Sequence, residues 1–204
     1  MINDLDDTLK TLLTRELPSL FGQVTNRVSI SFDAPGAQFP PQAVTLPTVN
    51  LFLYDVRENR DLRSNEWISD RQDNGMVLRK RAPVRVDCAY LITSWASDGT
   101  VNPAQDEHRM LGLVMRALLR FPKLPANVLQ GSLQGQEPDL PTTALQANNL
   151  QSLGEFWQAL GGKPRAALSY TITISLDPYE AVDAPIVLDR VLRVGLSDAE
   201  EPPA

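Results

Sequence analysis

Residues 167–177 read Ala-Leu-Ser-Tyr-Thr-Ile-Thr-Ile-Ser-Leu-Asp. Leu168, Tyr170, Ile172, Ile174 and Leu176 alternate with Ser169, Thr171, Thr173 and Ser175. A period of two over β-branched and aromatic residues predicts a strand with one apolar face. Such a strand needs neighbours, and the chain supplies them. Val84 to Trp95 places Val86, Cys88, Tyr90 and Ile92 on one face. In Val49 to Val56, Val49, Leu51 and Leu53 oppose Phe52, Tyr54 and Val56. Apolar residues on both sides predict a central strand covered on both faces. Shorter strands are expected at 27–32 and, as an edge, at 186–194.

Helical periodicity accounts for what packs against these strands. Residues 3–17 predict a helix capped by Asn3, with Asp4, Asp6 and Asp7 at the positive end of its dipole. Leu5, Leu9 and Leu12 form its apolar stripe, and Pro18 and Gly22 are its expected stop. Asn102 to Phe121 predicts the longest helix, with Asn102 as cap, Pro103 in the first turn and Gln105 completing a capping-box spacing. Leu111, Val114, Met115, Leu118 and Phe121 point one way; Arg109, Arg116 and Arg120 point the other. Residues 123–150 read as loop, and 150–160 as a short helix ended by Gly161 and Gly162. The sum is an α+β domain, a mixed or antiparallel sheet flanked by helices. It is expected to span residues 1–195 as one domain, followed by a disordered acidic tail at 196–204.

Composition narrows the function. The 204 residues carry a net charge of −6, which disfavours phosphate backbones, so no nucleic-acid partner is expected. No apolar stretch approaches a membrane span, so no direct membrane insertion is expected. The acidic start, MINDLDDTLK, is not expected to act as a signal peptide. One cysteine and one histidine, Cys88 and His108, cannot build a His/Cys metal cluster, and no cofactor is expected. A Cys88–His108 hydrolytic dyad is conceivable, but Cys88 lies on an apolar strand face, where a thiol is usually inert. Gly161-Gly162-Lys163-Pro164 lacks the spacer and hydroxyl of a phosphate loop and reads as a helix stop. No catalytic residue is assigned.

Charge layout is the remaining signal. Between Arg57 and Arg85 lie eight basic residues against five acids, whereas the chain from Asp177 onward has seven acids against two arginines. Residues 57–82 are expected to form a charged loop or arm. A basic arm on an acidic protein suits heterologous contact between identical subunits. Arg57, Arg60, Arg63, Arg79, Lys80 and Arg81 are therefore candidate interface residues. Leu113 and Arg116, on the arginine face of the long helix, complete the set.

Four segments carry a resemblance: VNLFLYDVRENRDLRSNEW (49–67), PVRVDCAYLITSWASD (83–98), DEHRMLGLVMRALLRFPKLP (106–125) and FWQALGGKPRAALSYTITISLD (156–177). In this order they resemble the N-terminal domain of the tail-terminator, or cap, proteins of extracellular contractile injection systems, such as the antifeeding prophage and virulence-cassette particles. The resemblance implies a phage tail-terminator-like fold and a non-enzymatic structural subunit. It implies a hexameric ring that closes the distal end of tube and sheath, with itself, sheath and inner-tube subunits as partners. It also implies assembly in the bacterial cytoplasm as part of a particle that can be released. An adaptor joining sheath or tube to another component is the alternative. Functions of the extra C-terminal domains found in some members are not expected here.

Overall fold

The computed structural model describes residues 1–21, 28–72, 76–146 and 153–185. Two compact units emerge: Met1–Arg63 with Pro83–Asp177, and Ser64–Ala82 with Pro178–Ala204.

The first unit contains a five-stranded sheet. Its strands are β1 (Ser29–Ser31), β2 (Thr48–Glu58), and then two that follow the second unit's pair, β5 (Val84–Trp95) and β7 (Leu168–Leu176), with β6 (Thr142–Ala144) between them in the chain. Their order across the sheet is β1-β2-β5-β7-β6, with β1 parallel to β2 and every other pair antiparallel. The mixed sheet of the α+β reading is thus present, but its centre is β5. The long Val84–Trp95 strand makes full ladders on both sides, whereas β2 lies second from the edge.

Two helices cover one face. They are α1 (Ile2–Phe21) and α2 (Pro103–Leu119). Leu5, Leu9, Leu12 and Leu13 of α1 and Met110, Val114, Ala117 and Leu118 of α2 are buried with Cys88, Tyr90, Ile92, Tyr170, Ile172 and Ile174. The alternation in β7 therefore does what it predicts: its apolar row faces the helices. Two 3₁₀ turns, Ala126–Val128 and Gly131–Leu133, lie within the stretch expected as loop and close the core with Val128 and Leu133.

The start of α1 is built by tertiary contacts rather than by Asn3. Leu5 N donates to Met1 O, and the Asp4 carboxylate accepts from Ser132 N (3.0 Å) and Ser132 Oγ (2.5 Å). The helix runs past Pro18, whose missing donor removes one backbone bond in the last turn without ending it. Gly22 and Arg27, the expected stop and the expected strand start, lie outside the described residues. Asn102 is the cap position of α2, but its side chain makes no capping bond; Thr100 Oγ1 instead donates to Asp106 Oδ2 in the first turn.

The opposite face is partly polar. The Asp87 carboxylate accepts from Thr173 Oγ1 and from Asn59 Nδ2. Phe52 and Tyr54 stand on this face, each 6.2 Å from the ring of Phe156 in α3 (Leu153–Ala159). A bulge between Leu53 and Asp55 shifts the phase of β2, so Val56 pairs with Cys88 on the helix side rather than joining Phe52 and Tyr54 as the alternation predicted. The helix α3 stops at Gly161, whose φ of 66° is the left-handed conformation that a C-terminal cap requires.

The second unit is a three-stranded antiparallel sheet, β3 (Trp67–Arg71), β4 (Met76–Arg81) and β8 (Val182–Pro185), in the order β3-β4-β8. The segment expected as an irregular arm is thus largely a strand pair. β8 precedes the strand expected at 186–194; that strand and the acidic tail lie outside the described residues.

Candidate assembly surfaces

Arg57 is the penultimate residue of β2. Beyond the bulge the alternation is regular, so Asp55 and Arg57 share a face, and Arg57 Nε donates to Asp55 Oδ2 at 2.6 Å. The chain then turns. Asn59 N donates to Arg85 O, the Asn59 amide grips Asp87, and Leu62 N donates back to Asn59 Oδ1 at 3.0 Å. Arg63 N donates to Arg60 O at 3.3 Å. Arg60 and Arg63 thus ride on a turn fixed to the central strand. Arg63 Nε lies 3.5 Å from Glu58 Oε1. All three arginines are exposed, and exposed ion pairs contribute only about 0–1 kcal/mol. Their side chains take no part in the core.

Arg85 is different. It belongs to the same basic run in sequence, but it is 6% exposed. Its guanidinium donates to Ser175 Oγ (2.5 Å), Asp139 O (3.1 Å) and Pro138 O (3.3 Å). It ties β5 and β7 to the loop at 138–139 and offers no charge to a partner.

Arg79, Lys80 and Arg81 lie on β4 of the second unit. The Arg79 guanidinium sits 5.2 Å from the ring centre of Trp67, and that of Arg81 sits 5.4 Å from the same ring and 5.6 Å from that of Tyr179. Lys80, between them, faces the other side of the sheet by strand alternation. The structure therefore divides the basic run: Arg57, Arg60 and Arg63 go to the first unit, Arg79 and Arg81 to one face of the second. The stacking partners Trp67 and Tyr179 escape a sequence reading. The signal that finds Trp67 is the Arg-x-Arg spacing opposite a lone tryptophan, which becomes meaningful only once 67–81 is known to be a hairpin.

On α2, Leu113 is half-buried and Arg116 is exposed. Nearby, Arg165 Nη1 donates to Glu107 Oε1 at 2.7 Å and stacks 3.7 Å from the Trp95 ring, on the wall of a cleft of about 380 Å³ that also includes His108 and Lys163.

Cys88 and His108 do not meet as a dyad. Cys88 is fully buried in the helix-side core, and burial pushes its thiol up to about 11. His108 is exposed on α2. Among the described residues no group of three His, Cys, Asp or Glu side chains is placed to hold a metal ion. None of the described helices is long and apolar enough to cross a membrane.

Residues 4–188 match the family model of the Pvc16 N-terminal domain. The chain belongs to that family. The fold agrees: 99% of the chain superposes on a solved sheath/tube terminator of the PVC extracellular contractile injection system in its extended state, with a TM-score of 0.65 and 25% identity. A second solved structure, the tube-terminating cap of the anti-feeding prophage, covers 91% of the chain with a TM-score of 0.58 and 27% identity. The chain spans 65% and 60% of the lengths of those two proteins. No curated protein matches the sequence significantly. The Pvc16 N-terminal domain is thus an α+β unit with the terminator fold that its sequence predicts.

Proposed function

We propose that this Pvc16-family chain is a structural subunit of a ring that caps the distal end of the tube and sheath in a contractile injection particle. The observation that carries this reading is its likeness to a sheath/tube terminator and to a tube-terminating cap over nearly its whole length. The role is to stop growth: a cap covers the sticky end of a polymer and presents a different outer face. A hexamer, with sheath and tube subunits as neighbours, is the assembly this role requires of a cap on a six-fold tail. Assembly in the cytoplasm, followed by particle release, completes the proposal.

The role is structural rather than catalytic. The one thiol is buried and held protonated, and the one histidine stands apart from it. Arg57, Arg60 and Arg63, Leu113 and Arg116, and Arg79, Lys80 and Arg81 are proposed as contacts with neighbouring subunits. An adaptor between sheath or tube and another component would use the same surfaces. Gene deletion tests the reading. Tube subunits should still polymerise, because a cap acts after growth begins, but particles should vary in length or carry unstable sheaths. Uniform, contraction-competent particles without this protein would refute it.

A further inference from the structure

The three-stranded sheet has two chemically unlike faces. Register places Trp67 opposite Arg81, Ser69 opposite Arg79, Arg71 opposite Val77 and Val182 opposite Arg79. Directly paired residues point to the same side of a sheet, and alternate residues along a strand share a face. One face therefore carries Trp67, Ser69, Arg71, Val77, Arg79, Arg81, Val182 and Ala184. It has three arginines and, among the strand residues, no acid. Asp70 and Asp183 fall on the other face with Lys80. On the arginine face Trp67 is 45% exposed and Val182 57% exposed. Large apolar side chains that stay wet beside arginines are the composition of a contact surface.

The stacking makes the arginines selective. The Arg79 and Arg81 guanidinium groups lie over the Trp67 ring, and that of Arg81 also over Tyr179, so the two arginines are gathered beside aromatic rings on one face. A planar fork is suited to bidentate pairing with carboxylates. The chain itself contains such a ligand. Asp198, Glu200 and Glu201 put three carboxylates within four residues. Between Pro185 and Asp198 the chain can reach up to roughly 40 Å when extended. The direction in which β8 ends favours a second copy over its own. In β8, Pro185 pairs with Met76 and Val182 with Arg79, so the chain leaves the sheet at the end of β4 remote from Arg81 and Trp67.

We propose that the Arg71/Arg79/Arg81–Trp67 face binds the acidic segment Asp198–Glu201 of a second copy of this chain. The contact is heterologous: face on one copy, segment on the next. Repeated around a circle it closes a ring. It deepens the cap reading by naming a subunit contact, yet it stands or falls independently of where the ring sits.

A charge swap on the full-length chain tests it, with self-association followed by sedimentation velocity. The face variant is Arg71→Glu, Arg79→Glu and Arg81→Glu; the segment variant is Asp198→Lys, Glu200→Lys and Glu201→Lys. Wild type should associate at low salt and dissociate at high salt. Each variant alone should remain monomeric, and an equimolar mixture of the two should associate again. Circular dichroism matching wild type confirms that each variant is folded. Four outcomes overturn the proposal: a monomeric wild type, variants that associate as well as wild type, a mixture that stays monomeric, or salt-sensitive binding of a labelled single-stranded oligonucleotide that the face variant alone abolishes. Overturning it while deletion still gives uncapped particles would remove this contact and leave the cap.

Discussion

Asp4 and Asp6, two residues apart at the start of α1, take opposite electrostatic roles. Asp4 accepts from Ser132 N and Oγ and lies 3.2 Å from the chain's amino terminus; these contacts, the Ser132 hydroxyl foremost, lower its pKa to about 2. Its stabilising effect is present above the ordinary carboxylate value and is lost as the pH falls toward 2. Asp6 accepts from Tyr90 Oη at 2.8 Å, but burial pushes its pKa up. Its folded form holds a proton more readily than its unfolded form, so it costs stability as the pH rises through the raised value. Asp6→Asn should therefore be at least as stable as wild type at neutral pH, with any advantage fading in acid. Asp4→Asn should be less stable at neutral pH, with the deficit fading below about 3. Denaturant midpoints measured across pH check both signs. Arg85→Ala should cost about 1–3 kcal/mol, because it leaves Ser175 Oγ and two backbone carbonyls without their donor. By contrast, Arg57→Glu, Arg60→Glu and Arg63→Glu together should leave the melting temperature nearly unchanged while impairing assembly. That contrast was not legible from composition, because Arg85 and Arg57 look alike until β5 and β7 enclose one of them. Cys88 should resist thiol reagents until the protein is unfolded, and replacing Cys88 and His108 together with alanine should leave particle assembly intact if the fold tolerates the lost sulfur.

At the scale of elements, the strongest periodicities were the reliable ones. The apolar rows of β5, β7 and α2 meet in one core, so burial enforces the pattern that the sequence displays. The bulge in β2 was invisible because Phe52, Leu53 and Tyr54 are all apolar, and a one-residue phase shift leaves no trace in such a run. β3 and β4 were hidden for the opposite reason: every residue of β3 is exposed, so no apolar period was selected. The 3₁₀ turn at Gly131 illustrates a join made by contact alone. Its φ is 53°, and a Cβ there would stand 2.5 Å from Asp4 Cγ. Gly131→Ala should destabilise by about 1–3 kcal/mol and should also loosen the grip on Asp4. Hydrogen exchange in the first turn of α1 should rise more than exchange in α2.

For the whole molecule, the candidate surfaces were half legible. The excess of arginine between residues 57 and 85 is plain in sequence, but its division into a turn, a buried tie and a stacked sheet face is a product of topology. A terminator, as proposed for this chain, has to present different surfaces to its two sides. The first unit has a continuous helix–sheet core, and under the proposed function the charged, exposed positions supply those different surfaces. Under the proposed function, these surfaces place copies of the chain in a terminal ring. Cryo-electron microscopy of extended particles carrying a tagged chain measures this directly. The tag should appear as a closed six-fold ring at the distal end only. Density spread along the sheath, or confined to the opposite end, would contradict the account.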